Sequence, residues 1–155
     1  MKIYLAGKVQ KGVDGEKADW REKFIALAPK YDYLDPNTAD YSLPIESYFG
    51  RDVHMIKSSD AVVVDASIRL GVGTSQEILI AKYYDKPVIA ICPYHTPHHK
   101  EITTEDGKKH YLHPFLSATC DEVVENYEEA AAALEKYEQE KCAVKKIAVI
   151  EEERK

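Results

Sequence analysis

Apolar positions along this 155-residue chain change period repeatedly, and each change marks an element. Residues 61–64, Ala-Val-Val-Val, form a continuous apolar run rich in β-branched side chains, as expected of a strand covered on both faces. Residues 88–92 repeat the pattern, and residues 2–6 read as a first strand stopped by Gly7. Residues 8–15, with two glycines and two lysines, read as a loop. The spacing then turns helical. Trp20, Phe24, Leu27 and Ala28 predict the buried stripe of a helix over 16–30. Residues 31–34 predict a short strand, ended by the turn signal Asp35-Pro36-Asn37. A second helix opens near Pro44, a residue suited to a first helical turn, and runs to about Ser58. Its apolar face is Ile45, Tyr48, Phe49, Val53 and Ile56. Past the central strand, the glycine turn Gly71-Val-Gly73 leads into a helix over 74–84, where Ile78, Ala81 and Tyr84 keep the spacing.

Beyond residue 92 the pattern weakens. Residues 93–114 read as a long polar loop, 116–119 as a short strand, and 122–141 as a long helix with Val124, Tyr127, Ala131 and Leu134 on one face. Residues 143–155 carry one apolar run, 147–150, which fits an edge strand, a helical extension or a dimer contact.

Strands alternating with helices predict parallel βαβ units. The expected fold class is therefore α/β: a single-domain, Rossmann- or flavodoxin-like three-layer sandwich, with about five mostly parallel strands and helices on both faces. The most apolar strands, near 61–65 and 88–92, belong at its centre with the first strand beside them. No repeat, linker or low-complexity stretch divides residues 1–155, so one domain is expected, with 143–155 open to reading as a C-terminal extension.

Charge narrows the partners. A net charge of −6 without a basic run argues against a nucleic-acid polymer but not against a single nucleotide. No apolar run approaches the length of a membrane span, and Met1 leads within two residues into a strand, so no leader peptide is expected. Cys92, Cys120 and Cys142 are odd in number and far apart; they suit a reducing cytoplasm and form no zinc pattern.

Chemistry-bearing residues converge on the glycine turn. Ligands of open α/β sheets bind at the carboxyl ends of the strands. There the first strand delivers Tyr4, Ala6 and Gly7, and the central strand delivers Asp65 and the loop holding Ser67 and Arg69. The turn delivers Gly71, Gly73, Thr74 and Glu77. Both glycines allow positive φ and close approach of a ligand. Thr74 reads as an N-cap, which puts Glu77 in the first helical turn. Thr74-Ser-Gln-Glu77 is also a capping box, in which Glu77 only returns to its own helix start. Asp52 falls inside the apolar stripe of its helix, between Phe49 and Ile56, where an acid needs water or a partner such as Arg51. Amides at a helix start suit an anion such as phosphate. Arg69 matches a phosphate by charge and fork geometry, and equally fits a solvated arginine. Neighbouring carboxylates suit glycosyl chemistry, one meeting an oxocarbenium-like carbon and another managing protons. The helix dipole is expected to keep Glu77 ionised, and a tyrosine hydroxyl to hold it in position.

Together these residues resemble the nucleoside 2-deoxyribosyltransferase superfamily, which also contains nucleoside 5′-monophosphate N-glycosidases. The resemblance covers about residues 1–92: Lys2-Ile-Tyr4-Leu-Ala-Gly7, Asp52 eight residues before Asp60, Gly71-Val-Gly73-Thr74-Ser-Gln-Glu77, and Lys86-Pro87-Val. It implies cleavage of an N-glycosidic bond, with Glu77 as nucleophile on the anomeric carbon and Tyr4 orienting it. It implies that Asp52 assists proton transfer at the base or contacts the sugar. Gly7, Asp65, Ser67, Arg69, Gly71, Gly73 and Thr74 are the implied substrate contacts. No cofactor is implied; the partner is a small nucleoside or nucleotide, and the assembly a homodimer or larger homo-oligomer. Thr-Ser-Gln before the acid, and Arg69-Leu70 where the transferases place an acid, resemble the nucleotide hydrolase branch, with water as acceptor. The turn also resembles the Gly-x-Gly-Thr-x-x-Glu of the cytokinin-activating phosphoribohydrolases, whose long glycine-rich run before the motif is absent here.

Other classes stay open at this point. The same scaffold serves non-catalytic nucleotide-binding or signalling modules, and flavodoxin-type electron carriers. His95, His98, His99, His110 and His113 fit either a metal or a solvated lid over the base, with Tyr94 and Tyr111 as stacking candidates.

Overall fold

The computed structural model describes residues 1–8, 20–38, 44–140 and 142–154. Most of the loop expected over 8–15, and the helix start expected over 16–19, lie outside the described residues. In chain order the first elements are β1 (Lys2–Ala6), α1 (Trp20–Leu27), β2 (Asp32–Leu34), α2 (Ile45–Ser58), β3 (Ala61–Asp65) and α3 (Val72–Tyr83). They are followed by β4 (Val88–Ile91), β5 (His99–Thr104), β6 (Gly107–Leu112), α4 (Pro114–Thr119), β7 (Glu122–Val124), α5 (Tyr127–Glu140) and α6 (Ala148–Glu153).

The main sheet has five strands in the order β2-β1-β3-β4-β7, and every neighbouring pair is parallel. By rank along the chain this is the flavodoxin-like order 2-1-3-4-5, whose direction of winding reverses between β1 and β3. The expected fold class holds, with β3 at the centre and β1 and β4 beside it. Alternation within each strand sorts the two faces. Ile3, Leu5, Val63, Ile89 and Ile91 pack against α1 and α5 through Trp20, Phe24, Ala130 and Leu134. Tyr4, Ala6, Val62, Val64 and Ala90 pack against Ile56 of α2, Ile78 and Ala81 of α3, and Leu116 of α4. Burying one such aliphatic side chain is worth roughly 1.5–3 kcal/mol. A one-residue slip would turn each of these chains to the wrong face. That same register sends Tyr4 towards α2 and α3.

Several elements depart from the pattern. Leu27, expected inside, is 43% exposed, whereas Arg21 is buried; Ala28, just past the end of α1, takes the inner place. Residues 93–114 are not a plain loop. They contain the antiparallel hairpin β5–β6, paired from His99↔Leu112 to Thr104↔Gly107. Its side chains are mostly polar on both faces, so no apolar alternation marks it. The segment expected as a strand at 116–119 belongs to helix α4. Pro114 occupies its first turn, and His113 Nδ1 accepts from Phe115 N–H. The fifth strand is β7, at residues expected to begin a long helix. That helix, α5, starts only at Tyr127. Asn126 caps it, its Oδ1 accepting from Glu129 N–H at 2.8 Å. Residues 142–147 have no regular structure and lead into α6, which docks on the far end of α3. There Asp85 accepts from Lys146 and Arg154. No helix among the described residues is long and apolar enough to cross a membrane.

Candidate active site

The reversal between β1 and β3 leaves a crevice at the carboxyl edge of the sheet, the place where ligands bind in this architecture. Tyr4, in the middle of β1, lies in the core with its hydroxyl pointing at α3. It donates a 2.7 Å hydrogen bond to Glu77 Oε1. An unpaired hydroxyl at that depth would cost about 1–3 kcal/mol, so the pair satisfies both groups. Glu77 does not return to its own helix start, and the capping-box reading of Thr74-Ser-Gln-Glu77 falls. The N-cap of α3 is Gly71, without a side-chain cap bond, rather than Thr74. Glu77 is therefore the sixth helical residue and lies beyond the first turn, where the helix dipole fades.

Glu77 and Asp52 line one cavity of about 180 Å³ between α2 and α3. Phe49 of α2 and Gly73 and Gln76 of α3 also border it, and Val53, Ile56 and Ile80 give it apolar walls. Burial pushes the Glu77 carboxyl above its usual range, and the charge of Asp52 adds to the rise. The Tyr4 hydrogen bond and the Arg21 guanidinium oppose it. Burial, with the Glu77 charge, drives the Tyr4 phenol far up, so it stays a donor. Asp52 is raised by burial as well, against the pull of Arg51. Arg51 donates to Asp52 Oδ1 through Nε at 2.9 Å and Nη2 at 2.8 Å. Among the described residues neither Asp52 Oδ2 nor Glu77 Oε2 receives a donor.

The other expected contacts are dispersed. Gly73 borders the cavity; Gly7, Asp65, Ser67, Arg69, Gly71 and Thr74 do not. Asp65 Oδ1 closes the turn after β3 by accepting from Ser67 N–H at 3.0 Å. Thr74 is buried, and Arg69 is exposed. Gly71 has an extended φ of −79° and Gly73 is helical, so neither uses the positive φ expected of it. Gly7 is closely packed: a Cβ there would lie 3.0 Å from Trp20 Nε1. The histidines of the hairpin form pairs rather than a metal cage. His99 Nε2 meets His110 Nε2 at 2.7 Å, and His98 Nε2 accepts from Leu70 N–H at 3.0 Å. Among the described residues no group of three or more His, Cys, Asp or Glu is placed to hold a metal. Tyr94 stacks on His110, not over the cavity.

Sequence reasoning missed Arg21. Its side chain is 1% exposed and donates to the carbonyls of Leu5, Gly7 and Lys8 while pairing with Asp35. It thus fixes the end of β1 behind Tyr4. The signal was present: Arg21, Phe24 and Ala28 share one helical face, the same reasoning that singles out Asp52.

Known structures share this architecture. A 2-desoxiribosyltransferase of Leishmania mexicana superposes with a TM-score of 0.59 at 18% identity, covering 89% of this chain and 97% of the other. The CMP N-glycosidase BcmB of Clostridium botulinum superposes with a TM-score of 0.50 at 15% identity, covering 88% and 100%. At these identities the likeness establishes the fold alone. No protein of curated function matches the sequence. The SLOG cluster4 family matches residues 24–124, a span that holds Asp52 and Glu77, and the chain belongs to that family.

Proposed function

We propose that the protein cleaves the N-glycosidic bond of a nucleoside or nucleoside 5′-monophosphate, with Glu77 as the nucleophile and water as the preferred acceptor. The observation that carries this reading is the 2.7 Å bond from Tyr4 to Glu77 Oε1, on the wall of a cavity shared with Asp52. The fold shared with a 2-desoxiribosyltransferase and a CMP N-glycosidase supports it. Tyr4 occupies one carboxylate oxygen and leaves Oε2 to attack the anomeric carbon. The carbon–nitrogen bond breaks, its electron pair stays on the base, and the base takes up a proton with help from Asp52. Water then attacks the anomeric carbon of the glycosyl ester and loses a proton to Asp52. The free sugar leaves, and Glu77 is again a carboxylate. A 5′-phosphate reaching beyond the cavity past Gly73 would meet the amides at the start of α3 and the exposed Arg69; Ser67 and Thr74 lie in the same stretch. On this reading the protein works in the cytoplasm as a homodimer or larger assembly.

A second reading is a module that binds a nucleotide and signals without turning it over. The family match favours keeping it, since that match assigns no reaction. Chromatography of nucleosides and nucleoside 5′-monophosphates incubated with the protein separates the two. Glycosidic cleavage yields free base, and Glu77→Ala abolishes its release with the fold intact. Undiminished release by that variant, or tight binding by the unaltered protein without release, would overturn the proposal. Adding a second free base tells the acceptor: base exchange means transfer, and steady sugar release means hydrolysis.

A further inference from the structure

Phe49 is out of place for a core residue. It lies on the inward stripe of α2, in line with Asp52, Val53 and Ile56. Ile56 is fully buried, Val53 and Asp52 are half-buried, and Phe49 is 61% exposed. Exposure thus rises from Ile56 towards the start of α2. Phe49 borders the cavity, and no aromatic ring of the described residues packs against it. A large aromatic at the mouth of a cavity that also holds two acids has a chemical reading. Phe49 and Asp52 are three residues apart on a helix, so they present a ring face and a carboxylate as neighbours. The other walls, Ile56 and Ile80, are aliphatic. Arg51 holds Asp52 Oδ1 and leaves Oδ2 turned to other donors. Apolar faces with an acceptor at one edge complement a flat heterocycle that carries N–H groups on its rim.

We propose that Phe49 is the stacking platform for the heteroaromatic base of the ligand, and therefore a specificity-determining residue. This rests on the cavity being a nucleotide site. It assigns the Phe49 end to the base and the Glu77 end to the sugar, with Asp52 between them at the base edge. It also explains why the side chain stays uncovered in the protein alone: its partner arrives with the ligand.

Calorimetry of the full chain tests this with the 5′-monophosphates of adenosine, guanosine, cytidine and uridine, and with ribose 5-phosphate, which has no base. Phe49→Ala should weaken binding of the best nucleotide about 10-fold, the scale of one lost base–aromatic stack. Phe49→Trp should restore it. Phe49→Leu, apolar but without a ring, should not. Ribose 5-phosphate should bind all four proteins alike, which a general disturbance of α2 would not permit. Nucleotide binding unchanged in Phe49→Ala and Phe49→Leu would overturn the assignment. So would dissociation of an oligomer by Phe49→Ala, since a second copy of the chain would then be what covers the ring. Base release measured in parallel keeps the two proposals apart. Release that ignores Phe49 removes the platform and leaves the reaction. Binding that needs Phe49 without any release removes the reaction and leaves the platform.

Discussion

Glu77 sits where its own charge is unwelcome. Burial and the nearby Asp52 raise its carboxyl above the ordinary glutamate range, and Tyr4 and Arg21 offset only part of that. The consequence for stability has a definite sign. In the unfolded chain the carboxyl ionises near its ordinary value of about 4.3, before it does so in the fold. Between those two values the folded state holds the extra proton, so stability falls as pH rises through the interval and stays lower above it. A glutamine never ionises and keeps its carbonyl as an acceptor for the Tyr4 hydroxyl. Glu77→Gln should therefore unfold at a higher urea concentration than the unaltered protein at pH 7. The two midpoints should converge as the pH falls towards 4. A variant less stable at pH 7 would show that the Tyr4 bond outweighs the cost of the buried charge. The same shift bears on turnover: a nucleophile must be ionised, so base release should fall away on the acid side above the usual carboxylate range.

At the scale of elements, α3 shows what glycine does at this turn. Gly73 is its second residue and is helical, so conformational freedom is not what the position uses. A Cβ there would meet nothing within 4 Å, and the residue borders the cavity. Gly73→Ala should stabilise the fold by about 0.5–1 kcal/mol through helix propensity. On the proposed reading it should also weaken nucleotide binding, because the methyl is added to a residue that borders the cavity; denaturation and calorimetry on one sample read both. Elements of this kind decide how much was legible in the sequence. Strands β1, β3 and β4 are apolar over their whole length, and the acid on the α2 stripe stood out against its neighbours, so the core sheet and Asp52 could be read directly. Tyr4 and Glu77 carried weak local signals and were legible through their joint spacing. The start of α3 was misplaced because Thr74 has the chemistry of a cap, while the helix begins earlier, at a glycine with no side chain to announce it. The real cap box, Asn126 with Glu129, lies inside the span 122–141 whose spacing predicts a helix. The hairpin was lost because its strands are wet on both faces, although Asp106-Gly107 is a turn signal and Gly107 takes a φ of 109°.

Across the whole molecule, the two edges of the sheet have different duties. The carboxyl edge carries the cavity, with acids left partly unpaired. The amino edge of β4 and β7 is stapled. Lys82, near the end of α3, meets Asp121 at 2.5 Å with both side chains 1% exposed. Asp121 Oδ2 also accepts from Val88 N–H at 2.7 Å, and Oδ1 from Lys145 N–H, so one carboxylate joins α3, β4, the start of β7 and the C-terminal segment. The helix that bears Glu77 is thus anchored at one end and borders the cavity at the other. A buried pair of this kind adds little over an apolar substitute for both partners, but removing one partner strands the other's charge. Lys82→Met should cost about 3–5 kcal/mol in urea denaturation. Because the staple lies more than a turn from Glu77, the folded fraction should bind nucleotide as the unaltered protein does. A loss below about 1 kcal/mol would mean that the backbone donors alone sustain Asp121. A loss of binding in the folded fraction would mean that the end of α3 bordering the cavity takes its position from the anchored end.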